Sequence, residues 1–158
     1  MKKKKILFVA NGDSSWIGGL YYVKNIMYQF LQYEKSAEEF EVYVYTTQKN
    51  RKLFEEFESR PRIHYIMKAE KKNGLYRFCD WMLNEKLGKN VDSEFWFKVL
   101  PHHFDVIYPY VSTVGVLNRN LVSWIPDFQY LHLKELFSAE EMQSREAYSG
   151  LVAKYQRS

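Results

Sequence analysis

Two places in this chain combine residue types that can handle a bound molecule. The first is Val122 to Ser138, VSWIPDFQYLHLKELFS. Leu121 to Ile125 reads as a short apolar strand, and Pro126 stops it. Proline has no N–H to donate and biases the residue before it towards an extended conformation. Asp127 and Gln129 follow at once. A carboxylate can take the proton of a hydroxyl group, and an amide can hydrogen-bond a second hydroxyl. Loops at the carboxyl ends of strands are where open α/β sheets bind ligands. Aspartate after proline also caps local turns, so the residue types alone leave both roles open. The second place is Gly18-Gly19, between an apolar run and a helical pattern. There backbone N–H groups at a helix amino end can hold a phosphate or carboxylate. The spacing is neither GxGxxG nor a Walker loop, and by itself it describes a tight turn equally well.

Other chemistry is excluded. His102-His103 suggests a metal pair, but adjacent side chains diverge and no Cys or HExxH spacing accompanies them. A solvated loop pair is expected, with no metal site and no cofactor. There is no GxSxG elbow, so a hydrolase triad has no support.

The elements that must position these residues alternate. Ile6 to Ala10 is a continuous apolar run, the pattern of a strand buried on both faces of a parallel sheet. After the polar loop Asn11 to Gly19, Leu20, Val23, Met27, Phe30 and Leu31 recur at helical spacing. Phe40 to Thr46 is a second strand, Lys49 to Ser59 a short charged helix, and Ile63 to Met67 a third strand. Glu70 to Asn90 forms a basic amphipathic helix. Its stripe of Leu75, Phe78, Met82 and Leu83 is expected to pack on the core; the other reading is a membrane-surface helix with Trp81 near the headgroups. Ser93 to Leu100 is another short helix. Asp105 to Pro109 reads as a strand ended by proline, and Val111 to Arg119 as a loop or weak helix. Ser138-Ala-Glu-Glu141 spells a capping box that opens a helix to about Tyr155. The alternation predicts an α/β fold with a doubly wound parallel sheet.

Length and composition agree. A chain of 158 residues suits one domain with a real core, residues 1–158. At 46% hydrophobic and 27% charged it is globular. The 13 tyrosines suit a bulky core, or alternatively a sugar-binding or partner-binding surface. Residues 1–90 hold 17 Lys and Arg against 11 Asp and Glu, and residues 91–158 hold 6 against 8. No helix-turn-helix, RNP or zinc-finger pattern accompanies the basic half, so no nucleic-acid partner is expected. Cys79 is the single cysteine, which fits a reducing cytosol. Met1 to Lys5 resembles the start of a signal peptide, but the apolar run after it is too short for one. No run reaches the length of a membrane span. The protein is expected in the cytoplasm, the inner face of the membrane being the alternative location.

Three stretches carry a resemblance. WIPDFQ followed by YLHLKELFS resembles WIPDFQHLHLPEFFS in a bacterial branch of the family-four glycosyltransferases, enzymes of the GT-B fold. Tyr130 stands where histidine is usual and Lys134 where proline is usual. Gly18 to Ile26, GGLYYVKNI, is similar to that family's GGxxYxxN-hydrophobic pattern, and Asp105 to Pro109 resembles its DVIFP strand.

The resemblance implies the amino-terminal, acceptor-side Rossmann-like domain of a GT-B transferase. It adds Tyr22 and Asn25 to Gly18, Gly19 and Gln129 as substrate- or phosphate-binding residues, and makes Asp127 the catalytic candidate. Tyr22 and Asn25 also lie at helical spacing that packing residues would have. Many family members place a His-Asp pair after this strand; here Pro126 occupies the histidine position, and His132 has no clear claim to replace it. The implied reaction is retaining, metal-independent transfer from a nucleotide-sugar to a saccharide or lipid-linked acceptor, in carbohydrate biosynthesis. The family's ExxxxxxxE motif and the rest of its donor-binding carboxyl-terminal domain are absent from these residues. A truncated domain inactive alone is therefore expected, partnered by a carboxyl-terminal half, and self-association and peripheral membrane contact through residues 70–90 are the further partner expectations. The alternative is a non-catalytic glycan-binding or membrane-surface module.

Overall fold

A computed structural model describes residues 3–13, 16–33, 39–87, 92–110, 120–124 and 129–155. The chain runs β1 (Lys4–Ala10), α1 (Ile17–Gln32), β2 (Phe40–Thr47) and α2 (Gln48–Arg51), which passes into a 3-10 helix at Lys52–Phe57. Then come β3 (Ile63–Lys68), α3 (Gly74–Leu87), α4 (Ser93–Val99) with a 3-10 turn at Leu100–His102, and β4 (Val106–Tyr110). β5 (Leu121–Ser123), α5 (Gln129–His132), a 3-10 turn at Lys134–Leu136 and α6 (Ala139–Tyr155) follow. The five strands form one sheet in the order β3-β2-β1-β4-β5, and every pairing is parallel. This is the expected doubly wound, Rossmann-like arrangement.

Strand alternation explains why both sheet faces are covered. Ile6, Phe8 and Ala10 of β1, with Val42 and Val44 of β2, meet Leu20, Val23 and Met27 of α1. Leu7, Tyr43 and Tyr45 point the other way, onto Phe95, Trp96 and Val99 of α4 and onto Phe104. Successive side chains of a strand alternate sides, so two packed faces require a continuous apolar run. Each fully buried side chain of this size contributes roughly 1.5–3 kcal/mol. The charged stretch after β2 belongs to the first of these cores. Phe54 and Phe57 are fully buried there, because residues three apart in a 3-10 helix lie one above the other. Thr47 caps α2 by accepting the Asn50 N–H at 3.1 Å.

Several expectations are corrected. Pro109 does not end β4, which continues to Tyr110. Its missing N–H falls beyond the β1 pairing, which stops at Phe8 opposite Tyr108, and inside a register shift between β4 and β5. Irregular pairing is where a sheet tolerates proline. The α3 stripe does not pack as a whole on the core: Met82 and Leu83 are half-buried, but Leu75 and Phe78 face outward. Polar contacts set the helix rotation instead. Asp80 accepts from Lys72 Nζ at 2.6 Å and from the Ser93 N–H at 2.8 Å, and Ser93 Oγ donates to the Tyr76 carbonyl at 3.1 Å. His102 is not a solvated loop residue; its half-buried ring lies 5.4 Å from Tyr43 and 5.5 Å from Phe104. The capping box stands as predicted, with Ser138 N–H donating to Glu141 Oε2 at 2.9 Å and Glu141 N–H to Ser138 Oγ at 3.2 Å.

Candidate functional site at the switch point of the sheet

In the order β3-β2-β1-β4-β5 the direction of strand progression reverses between β1 and β4. Open α/β sheets bind ligands outside the carboxyl ends of the strands at such a point. β1 reaches it at Ala10, and its exit is fixed by two buried side chains. Thr46 Oγ1 donates to the Ala10 carbonyl at 2.9 Å, and Asn50 Nδ2 donates to the carbonyls of Ala10 at 3.3 Å and Gly12 at 2.7 Å. Trp16 then closes a turn, its N–H on the Asp13 carbonyl at 3.1 Å. At the N-cap of α1 Trp16 makes no side-chain cap, and the first turn of the helix holds no acidic residue. Its leading N–H groups therefore keep the partial positive charge that attracts an anion.

The two glycines have different surroundings. A Cβ on Gly19 would overlap the Trp16 indole, whereas a Cβ on Gly18 would meet nothing within 4 Å. Gly19 makes room for an aromatic ring; Gly18 faces open space. Gly12 is crowded by the same indole. Tyr22 and Asn25 lie one and two turns along α1 from Gly18 and share its face, at spacings of four and seven residues. Asn25 is exposed. Tyr22 is partly a packing residue: its ring stacks on Trp124 at 4.4 Å with 4° between planes. Its hydroxyl is hydrogen-bonded to Tyr108, and burial together with that bond pushes the Tyr108 pKa up.

Trp124 is the hinge of this cluster. Besides stacking on Tyr22 it meets Trp16 edge-on, with ring centroids 5.8 Å apart. Its carbonyl accepts the Tyr148 hydroxyl at 3.1 Å, so α6 is tied to the end of β5. The Tyr110 carbonyl lies 3.5 Å from the same hydroxyl, and burial raises the Tyr148 pKa. Trp16, Trp124, Thr46, Asn50 and Tyr148 carry no site signal in the sequence that spacing or residue type alone would raise. The available signals were a tryptophan directly ahead of Ile125-Pro126 and another two residues ahead of Gly18.

Of the predicted site residues, Gly18, Gly19, Tyr22 and Asn25 all lie on α1. Gln129 is exposed at the start of α5. Asp127, the catalytic candidate, lies outside the described residues. Tyr130, where the resembled pattern has histidine, is buried, with its hydroxyl 3.3 Å from Ser149 Oγ. It fastens α5 to α6. His132 is exposed. Burial, then the charges of Lys5 and His64, lowers the His102 pKa. Among the described residues no group of three or more His, Cys, Asp or Glu could hold a metal ion. No helix among them is long and apolar enough to cross a membrane.

Comparisons with protein-family models, with curated proteins and with solved structures returned no match.

Proposed function

We propose that residues 1–158 are the acceptor-side half of a retaining GT-B glycosyltransferase. In this reading they act with a donor-binding carboxyl-terminal half, carried on further chain or on a separate one, to move a sugar from a nucleotide-sugar to a saccharide or lipid-linked acceptor. The observation that carries the proposal is the start of α1 at the switch point, where a Cβ on Gly18 would meet open space and the Trp16, Tyr22 and Trp124 rings gather. Anionic groups suit the leading N–H groups. The C–H face of a pyranose suits an aromatic face, and the Asn25 amide can hold a hydroxyl. Asp127 is the group proposed to take the acceptor proton, with Gln129 on a neighbouring hydroxyl. Such a reaction belongs to the cytoplasm, where nucleotide-sugars are made, and a lipid-linked acceptor would be met at the inner face of the membrane.

Bringing donor and acceptor together supplies much of the rate, and these residues form one wall of the cleft that would do it. The test is calorimetric titration with nucleotide-sugars, followed by a transfer assay with and without a carboxyl-terminal half added in trans. No turnover alone and turnover on addition are expected. Tight nucleotide-sugar binding or turnover by residues 1–158 alone would overturn the half-enzyme reading. Glycan binding without turnover, even with the added half, would favour a non-catalytic glycan-binding module.

A further inference from the structure

Where α4 meets the carboxyl ends of β2 and β3, charged groups gather that the crevice does not use. Glu94, in the first turn of α4, is fully buried. Its Oε1 accepts the Ala69 N–H at 2.7 Å and the Lys98 ammonium at 2.8 Å. The same ammonium donates to the Met67 carbonyl at 2.6 Å, so this pair ties α4 to the end of β3. Nearby, Lys72 bridges Asp80 at 2.6 Å and Asp92 at 2.9 Å, and Lys68 meets Asp92 at 3.4 Å. Tyr45 enters from β2. It pairs in register with Ile66 of β3, its ring meets Phe95 of α4 edge-on at 5.0 Å, and it too is fully buried. Burial, then the charges of Asp92 and Glu94, raises its pKa, so its hydroxyl lies within reach of those carboxylates.

Two atoms of this cluster remain over. Glu94 Oε2 and the Tyr45 hydroxyl are buried, and neither has a hydrogen-bond partner among the described residues, the other included. A buried polar atom left so bears the whole cost of its lost hydration. Charge decides what can satisfy both. Among the described residues the carboxylates of Asp80, Asp92 and Glu94 are matched by the ammonium groups of Lys68, Lys72 and Lys98. A further cation would unbalance the cluster, and an anion would be repelled by Glu94. Enclosure decides the size, because neither atom is open to solvent. The partner that fits is small and neutral, donates to a carboxylate oxygen and accepts from a phenol. Water does both, and internal waters are commonly held by about three such bonds.

We infer that one internal water molecule is held between Tyr45 and Glu94, accepting from the phenol and donating to Glu94 Oε2. It extends the tie between α4 and β3 to β2, so the first turn of α4 is bonded to two adjacent strands. The inference is independent of the reading of the crevice.

A crystal structure of residues 1–158, at a resolution that shows ordered solvent, tests the position. One solvent peak within about 3.2 Å of both oxygens is expected. Urea unfolding tests the energetics by their sign. Tyr45→Phe keeps the ring and removes only the hydroxyl. It takes a partner from the water, and should raise the unfolding equilibrium constant several-fold. A hydroxyl that had no partner would give the opposite result, since its removal would relieve a buried polar group and leave the protein as stable or more so. A Tyr45→Phe protein at least as stable as the parent would therefore overturn the proposal. So would crystals showing Tyr45 bonded directly to Glu94, a cluster without solvent, or a peak ringed by five or more oxygens, which would mark a cation.

Discussion

Gly18 and Gly19 are adjacent and chemically identical, yet only one of them is open. The GGxxYxxN pattern marks both without separating their roles, because no spacing rule says where a Cβ would point. Gly19 backs onto the Trp16 indole, which Trp124 holds from its edge. Gly19→Ala should therefore overpack the turn and destabilise the domain by about 1–3 kcal/mol. Gly18→Ala, facing open space in the first turn of α1, should stabilise it by up to about 1 kcal/mol, because alanine restricts the unfolded chain. Urea unfolding of the two variants measures both. Equal effects at the two positions would mean that the indole does not sit over Gly19. Asn25 was named from its place in the pattern, and the structure leaves it exposed on α1. Tyr22 was legible too, but its stacking on Trp124 was not, since that contact joins residues about a hundred positions apart.

At the scale of elements, local signals were the dependable ones. The Ser138 to Glu141 box opens α6 because its partners are three residues apart, and both hydrogen bonds form. Hydrogen bonds from the Ser138 N–H, then its hydroxyl, hold the Glu141 pKa down, outweighing the small effect of burial; the Arg145 charge adds to them. Ser138→Ala should cost about 1 kcal/mol of stability, the usual value of an N-cap, measurable as a lowered thermal midpoint. Ser138→Asp should restore most of it, and a silent Ser138→Ala would show that α6 is not coupled to the fold. The α3 stripe shows where local reading fails. Periodicity establishes that an amphipathic helix has an apolar side; it does not say what that side meets. Three contacts from Asp80 and Ser93, residues thirteen apart and in different helices, turn Leu75 and Phe78 outward.

For the molecule as a whole, the ion-pair cluster behind α3 sets a pH dependence. Burial raises the Asp80 pKa, but hydrogen bonds from Lys72 and from the Ser93 N–H outweigh it, and the carboxyl is held below its ordinary value. A carboxylate depressed in the folded state contributes stability that is complete above its unfolded value, about 4, and lost as pH falls through its lower folded value. Burial likewise opposes the Lys72 ammonium, and the bonds to Asp80 and Asp92 override it, raising that pKa. The lysine's contribution persists at neutral pH and disappears as pH rises through a value above about 10.4. Asp80→Asn should therefore flatten the acid limb of a plot of unfolding free energy against pH. An unchanged slope below about pH 4 would show that Asp80 is not a linked group.

The sequence by itself determined the strand-helix alternation, the double covering of the sheet and the capped start of α6. Each rests on side chains close together in the chain: the apolar runs of β1 and β2, or the four residues of a capping box. The tertiary structure decided which residues share the switch point. Trp16, Tyr22, Tyr108, Trp124 and Tyr148 come from α1, the loop before it, β4, the end of β5 and α6, and they meet because β4 is paired beside β1. Strand order follows from how crossovers pack their helices across the sheet, a sum over many distant contacts that no local spacing encodes. The same sum placed Phe78 and Trp81 in solvent and buried Phe54 and Phe57 in the core.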